Sequence, residues 1–400
     1  MIKTTNNQKK IENTYLLYRL FSNMFFVSAV WLYFYRLFIT DAQVGILDSM
    51  AFTLGLIAEV PSGALADKFG RGKIARLGLI FAGSGLFIQA IGGGFLPIFI
   101  GQSIMMIGMS FVSGADEALF FTKLDYNRES NQWRKLVTKG SQVSLIGGLA
   151  ATLLGGWLHT INPHIPWILT GTAFFISALL IWGIKDTQPT REKLSISDEI
   201  KTYFEGIVDG FQQFSSSHLL RYVPIILTVQ ALFYATGWGL LRIILLDRFH
   251  FDPFMGSVIV AACSVITIGI LSGVHKYSEK IDEKIALSVI GVSAALSLLI
   301  SIPDIGAWGA GVIFTLYAGE RILYPFLSEA INNHANDQHR ATTISVASFF
   351  KVLPYIGLAP MIGALNNNNH LEYFLLLWPV LIFLALGFYR TVGNKSSPKS

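Results

Sequence analysis

The chain has 400 residues, of which 52% are hydrophobic and 14% charged, with a formal net charge of +5. Ordinary soluble domains carry about 25% charged residues, so the balance excludes a typical soluble protein and points to a bilayer. The apolar runs are also too continuous for barrel strands, which alternate over about 10 residues, whereas a helix needs about 20 apolar residues to cross a hydrocarbon core of about 30 Å.

The polar, basic start MIKTTNNQKK reads as a cytoplasmic tail. The apolar run behind it outlasts the roughly 7–15 residues of a signal-peptide core, so it reads as a retained span. Apolar segments follow at 15–38, 44–66, 74–91, 95–118, 137–159 and 164–184, then at 221–246, 254–275, 285–302, 304–328, 342–365 and 371–389. The expected fold is therefore an all-α membrane protein with 12 transmembrane helices in two pseudo-symmetric six-helix bundles, residues 1–184 and 221–400. Between them, 185–220 is expected to be a cytoplasmic linker. Ile200, Phe204, Ile207, Phe211 and Phe214 have helical spacing there and suggest an amphipathic helix on the membrane surface.

Lysine and arginine set the orientation. One side collects Lys3, Lys9 and Lys10; Lys68, Arg71, Lys73 and Arg76; Lys123, Arg128, Arg134, Lys135 and Lys139; and, beyond the linker, Lys276, Lys280, Lys284, Arg340 and Arg390. The other side holds essentially Arg36 and Arg248. Both termini are expected in the cytoplasm and the chain in the cytoplasmic (inner) membrane. The loops use up the positive charge, so no nucleic-acid partner is implied.

A shift of about 206 residues relates the halves: Gly63 meets Gly269, Arg134 meets Arg340, and Gly114 and Gly156 meet Gly319 and Gly363 within a residue. Two bundles of parallel topology are a common transporter design.

Between the second and third segments stands EVPSGALADKFGRGK, residues 59–73. Gly70 and Gly72 permit positive φ in a tight turn, and Asp67 stands one short turn from Arg71 and Lys73. The pattern Gly63-x-Leu65-Ala66-Asp67-Lys68-x-Gly70-Arg71-x-Lys73, at this place among twelve helices, resembles the signature loop of the major facilitator superfamily, in particular of its bacterial 12-helix drug/proton exporters. The resemblance implies that Asp67 and Arg71 latch the cytoplasmic side, with an acid at the end of helix 4 as partner: Asp116, Glu117 or Asp125. Two departures weaken an antiport reading. Ile104 stands where many exporters carry an arginine, and Ala151 to Gly156 lacks the proline of the helix 5 exporter motif. Gly147, Ala151 and Gly155 still form a stripe for close helix packing.

Ionisable residues inside a bilayer cost about 2.5–3.5 kcal/mol each on insertion scales and are functional candidates by default. The acids are Asp48, Glu59, Asp116, Glu117 and Glu320; the bases are Arg19, Arg242, Arg321 and Lys351. Arg19 and Arg242 lie near helix ends and could snorkel. Lys351 lies about nine residues, or roughly 14 Å, into its helix, close to the midplane. It is expected to pair with Glu59 or Glu320 in a proton-coupling or inter-half ion pair, with Asp48 a further candidate. Phe25 and Trp238, in the aromatic helices 1 and 7, complete with Arg19, Arg242 and Arg321 a candidate cavity for an amphipathic or cationic organic substrate.

No G-x-x-x-x-G-K-[ST] loop, HExxH, serine elbow or cysteine pair occurs, Cys263 being the single cysteine. The chain is thus not expected to be an enzyme or to carry a cofactor or metal. The expectation is a monomeric secondary transporter that exports a small organic or drug-like compound in exchange for protons by alternating access. Metabolite import or uniport, or a non-transporting sensor, is the alternative.

Overall fold

The computed structural model describes residues 6–124, 132–184, 219–277, 281–334 and 340–395, with Lys201, Glu205, Val208 and Phe214. No strand occurs among these residues. Among the described residues seven helices are long and apolar enough to cross a membrane, and the bent pair Leu220–Gly237 and Leu241–Arg248 brings the number to eight. By contacts the chain divides into two units, Met1–Phe38 with Met50–Lys201, and Ile39–Ser49 with Thr202–Ser400.

The first unit contains α1 (Asn6–Phe21), α2 (Trp31–Tyr35), most of α3 (Asp41–Phe69), α4 (Arg71–Ile91), α5 (Phe95–Val112), α6 (Ala115–Leu124), α7 (Gln132–Ile161) and α8 (Ile165–Leu180). Glycine pairs bring α4 and α5 together: a Cβ on Gly78 would stand 2.5 Å from the Gly108 carbonyl oxygen, and one on Gly101 equally close to that of Gly85. Lipid tails are as apolar as leucine, so helices in a bilayer gain from packing this close rather than from hydrophobic burial. Gly83 and Gly171 join α4 to α8 in the same way.

The first apolar segment is not the continuous helix expected. It is helical to Phe21, runs through turns from Ser22 to Val30, and resumes at Trp31. Asn23 turns its Nδ2 back to the Arg19 carbonyl at 2.9 Å, an alternative to the helical ladder that short polar side chains offer. Backbone freed in a membrane must be buried against protein. Here α7 supplies the surface: Ser144 Oγ donates to the Arg19 carbonyl at 3.0 Å, Ser28 and Thr152 hydroxyls meet at 3.0 Å, and Gly147 and Gly155 lie against the Leu20 and Phe26 carbonyls. The small-residue stripe read from the sequence therefore seats an opened segment. The fourth expected span is likewise divided, at Ser113 and Gly114, into α5 and α6.

The second unit has α9 (Ala231–Gly237), entered through 3₁₀, α and π turns from Leu220 to Gln230, then α10 (Leu241–Arg248), α11 (Pro253–Tyr277), α12 (Glu283–Ile300), α13 (Gly309–His334), α14 (Arg340–Asn367) and α15 (Leu371–Lys395). Residues 39–49, the start of α3 included, belong to it by contacts. Gly45 lies against the Ala359 carbonyl, Gly363 against that of Asp41, and Asn366 Nδ2 donates to Asp41 Oδ2 at 2.5 Å. At one end of the unit Glu283 Oε1 accepts both the Tyr222 and Tyr389 hydroxyls, at 2.7 and 2.6 Å. In the connecting loops Arg248 donates to the Ser301 carbonyl at 2.8 Å, and His250 meets Asp304 at 2.9 Å. The His250 hydrogen bond holds the Asp304 carboxyl below the usual carboxylate range.

Most of the expected linker, 185–220, lies outside the described residues; of its apolar stripe, Phe214 is described, buried with its ring 5.3 Å from that of Phe350.

Candidate functional site

The break in the helix at Trp238, Gly239 and Leu240 gathers the second unit's charged and aromatic candidates. The pieces on either side meet at 67°. Glycine flanks the exposed Trp238 on both sides, and each glycine makes room for a functional group. A Cβ on Gly237 would stand 2.6 Å from Glu320 Oε2, and one on Gly239 would overlap the Tyr355 ring. Past the break the N–H of Leu240 has no intrahelical acceptor. Tyr355 Oη accepts it at 3.1 Å and donates its own proton to Asp48 Oδ2 at 2.5 Å. Asp48 is 2% exposed and Tyr355 fully buried.

On α13, Glu320 points to the break with its side chain 15% exposed, and Arg321 Nε lies 3.8 Å from it. Arg321 lies with Cζ 5.2 Å from the Tyr317 ring centre, and the Tyr317 hydroxyl bonds Ser264 on α11 at 2.7 Å. Arg242, in the first turn of α10, is 7% exposed and within electrostatic range of Tyr317, Glu320 and Arg321. It is enclosed by protein rather than snorkelling, which corrects one reading of its place near a helix end. The arrangement offers an aromatic face, an acid and two guanidinium groups around opened backbone, the kind of surface on which discontinuous helices bind polar ligands.

Asp48, Glu320, Arg242, Arg321 and Trp238, expected from sequence, thus belong to one neighbourhood. Arg19 and Phe25 lie in the first unit. Arg19 is half-buried, in range of Tyr15 and Tyr18, and Phe25 packs edge-on to Phe174 at 5.1 Å. Asp116 accepts the Tyr18 hydroxyl at 2.8 Å, whereas Glu117 is exposed. Glu59 has an exposed side chain, and its backbone carbonyl accepts Ser62 Oγ at 2.7 Å. In the signature loop Gly70 takes φ 102° between α3 and α4, while Gly72 is helical. Gly63 has open space beside it, and Arg71 and Lys73 are exposed. Asp125 and the side chains of Asp67 and Lys351 lie outside the described residues.

Sequence reasoning missed Tyr355, Tyr317, Ser264 and the roles of Gly237 and Gly239. The signal available was Gly-Trp-Gly inside an apolar span, a helix interruption in the seventh of twelve segments.

The family model described as the Major Facilitator Superfamily matches residues 14–359. The chain is 22% identical to the tetracycline resistance protein, class B, of Escherichia coli over 338 residues, 82% of this chain and 79% of that one. It is 24% identical to the uncharacterized MFS-type transporter YxaM of Bacillus subtilis (strain 168) over 143 residues, 35% and 34% of the two chains. Among solved structures, a peptide transporter POT in complex with alafosfalin superposes with TM-score 0.71 at 14% identity, covering 98% of this chain and 96% of that one. The nucleoside transporter NupG does so with TM-score 0.70 at 12% identity, covering 99% and 100%. A match that spans both units of a helical chain makes this a multi-pass membrane transporter rather than an enzyme, and the chain belongs to the Major Facilitator Superfamily.

Proposed function

We propose that the protein exports a small, amphipathic, drug-like compound across the cytoplasmic membrane in exchange for protons, by alternating access of its two six-helix halves. The observation that carries this reading is the Glu320 carboxylate lodged against Gly237 at the helix break, beside the exposed Trp238 and in range of Arg242 and Arg321. An aromatic face with charges of both signs suits an organic molecule that is apolar over most of its surface and carries acidic and basic groups. A carboxylate is also the group that can exchange a proton for such a ligand. The tetracycline resistance protein among its relatives supports a drug-like compound.

In this reading residues 1–184 and 221–400 are the moving halves, joined by 185–220, with both termini in the cytoplasm. Gly63, Asp67, Gly70, Arg71 and Lys73 form the cytoplasmic latch, with Asp116, Glu117 or Asp125 as partner acids. Lys351 pairs with Glu59 or Glu320 during the cycle, and the unit of function is the monomer. Uptake of labelled tetracycline into everted vesicles with an acidic lumen tests the reading: the wild type accumulates it as protons leave the lumen, and Glu320→Gln does not. Equal accumulation by both would remove Glu320 from the coupling.

A further inference from the structure

We infer that Asp48 is a protonation site separate from Glu320 and acts through Tyr355, a positioning residue, on the helix break at Leu240. The inference rests on the proton-exchange reading above and adds to it a link between the charge of a buried acid and the binding surface. Three groups form one line: Leu240 N–H donates to Tyr355 Oη at 3.1 Å, and Tyr355 donates to Asp48 Oδ2 at 2.5 Å. Both side chains are buried, and Tyr355 is the partner of Asp48 among the described residues. No charged side chain among the described residues forms an ion pair with Asp48. Tyr234 of α9 packs behind Tyr355 with ring centres 5.3 Å apart, while Asp41, two turns earlier on α3, is held by Asn366.

Ionised, Asp48 only accepts. It fixes the Tyr355 proton on itself, and the phenol oxygen accepts from Leu240. Protonation forms one O–H bond on Asp48, breaks none in the protein, and turns one carboxylate oxygen into a donor. The phenol oxygen then meets two donors, Asp48 and Leu240, and its own proton has lost its ionised acceptor. Charge-assisted hydrogen bonds are roughly twice as strong as neutral ones, so the line is weakened at both links. Leu240 caps the first turn of α10, so release of its N–H loosens the joint that sets the 67° bend. Gly237 and Gly239 stand at this joint against Glu320 and Tyr355, so its movement alters the surface around Trp238. The proton on Asp48 and the ligand beside Glu320 thus bias the same hinge from opposite sides, which is what a coupled exchanger requires.

The test uses the full chain in lipid vesicles with a nitroxide at position 238, placed by Trp238→Cys in a Cys263→Ser background. Label mobility is followed from about pH 5 to about pH 9, a span wide enough to hold the titration of a buried carboxylate. A single transition is expected. Asp48→Asn should hold the label in the low-pH form throughout, Asp48→Glu should retain a transition with a shifted midpoint, and Tyr355→Phe should abolish it. A transition unchanged in Asp48→Asn and Tyr355→Phe overturns the inference. Proton release on adding tetracycline is read in the Trp238-containing protein. If the relay variants lose the mobility transition and tetracycline moves no protons, the exporter reading fails and the relay stands. If tetracycline moves protons and the transition ignores both variants, the relay fails and the exporter reading stands.

Discussion

Gly155 of α7 lies against the Phe26 carbonyl so closely that a Cβ would overlap it. The opened stretch of the first segment packs on α7 through this contact and the Ser28–Thr152 hydrogen bond. Overpacking a fitted interior costs typically about 1–3 kcal/mol. Gly155→Ala is expected to cost that much in thermal unfolding in detergent, whereas Gly183→Ala, with open space around it, should leave the melting curve unchanged.

Tyr18 is buried and donates to Asp116. Tyr18→Phe keeps the ring and removes the donor, so the half-buried carboxylate loses a charge-assisted bond. A loss of about 1–3 kcal/mol is expected from such an unsatisfied group. Asp116→Asn, which can still accept from the phenol, should lose less. Chemical unfolding of the two variants in parallel checks the order.

At the helix break, Gly237→Ala places a methyl 2.6 Å from Glu320 Oε2. The carboxylate has to shift, and in the exchange role we propose for Glu320 such a misplacement slows turnover by factors of about 10 to 100. At least tenfold slower exchange at normal membrane expression is expected. Gly269→Ala, also on the second unit but facing open space, should transport at the wild-type rate.

The exposed pair His250 and Asp304 provides a pH signature outside the membrane. The Asp304 carboxyl is held below its usual range, chiefly by the His250 hydrogen bond. A group whose folded value is depressed contributes stability above its unfolded value and loses it as pH falls through the folded one. The wild type should therefore lose stability on acidification through the carboxylate range, and Asp304→Asn should flatten that decline. A melting series against pH in detergent measures it.

Much of the architecture is legible in the sequence because the bilayer imposes a simple rule, an apolar run long enough to cross it. The charged candidates could also be picked out by their cost: Arg242 lies in range of Glu320 and Arg321, while Asp48 meets Tyr355. Helix interruptions were harder to foresee. Ser22 to Val30 is apolar enough to read as helix, and it opens because glycines more than 120 residues away on α7 receive its carbonyls. Tyr355 was missed for a related reason: its importance lies in two partners, Asp48 and Leu240, that are distant in sequence, and no local pattern marks it.

We propose that a compound and protons exchange at the break beside Glu320. Everted vesicles loaded with a pH-sensitive dye test it most directly, with tetracycline and other amphipathic compounds added to the wild type and to Glu320→Gln. Compound-dependent proton release is expected in the wild type and none in Glu320→Gln, with compound binding retained by both. Binding without proton release in the wild type, for every compound bound, would contradict it.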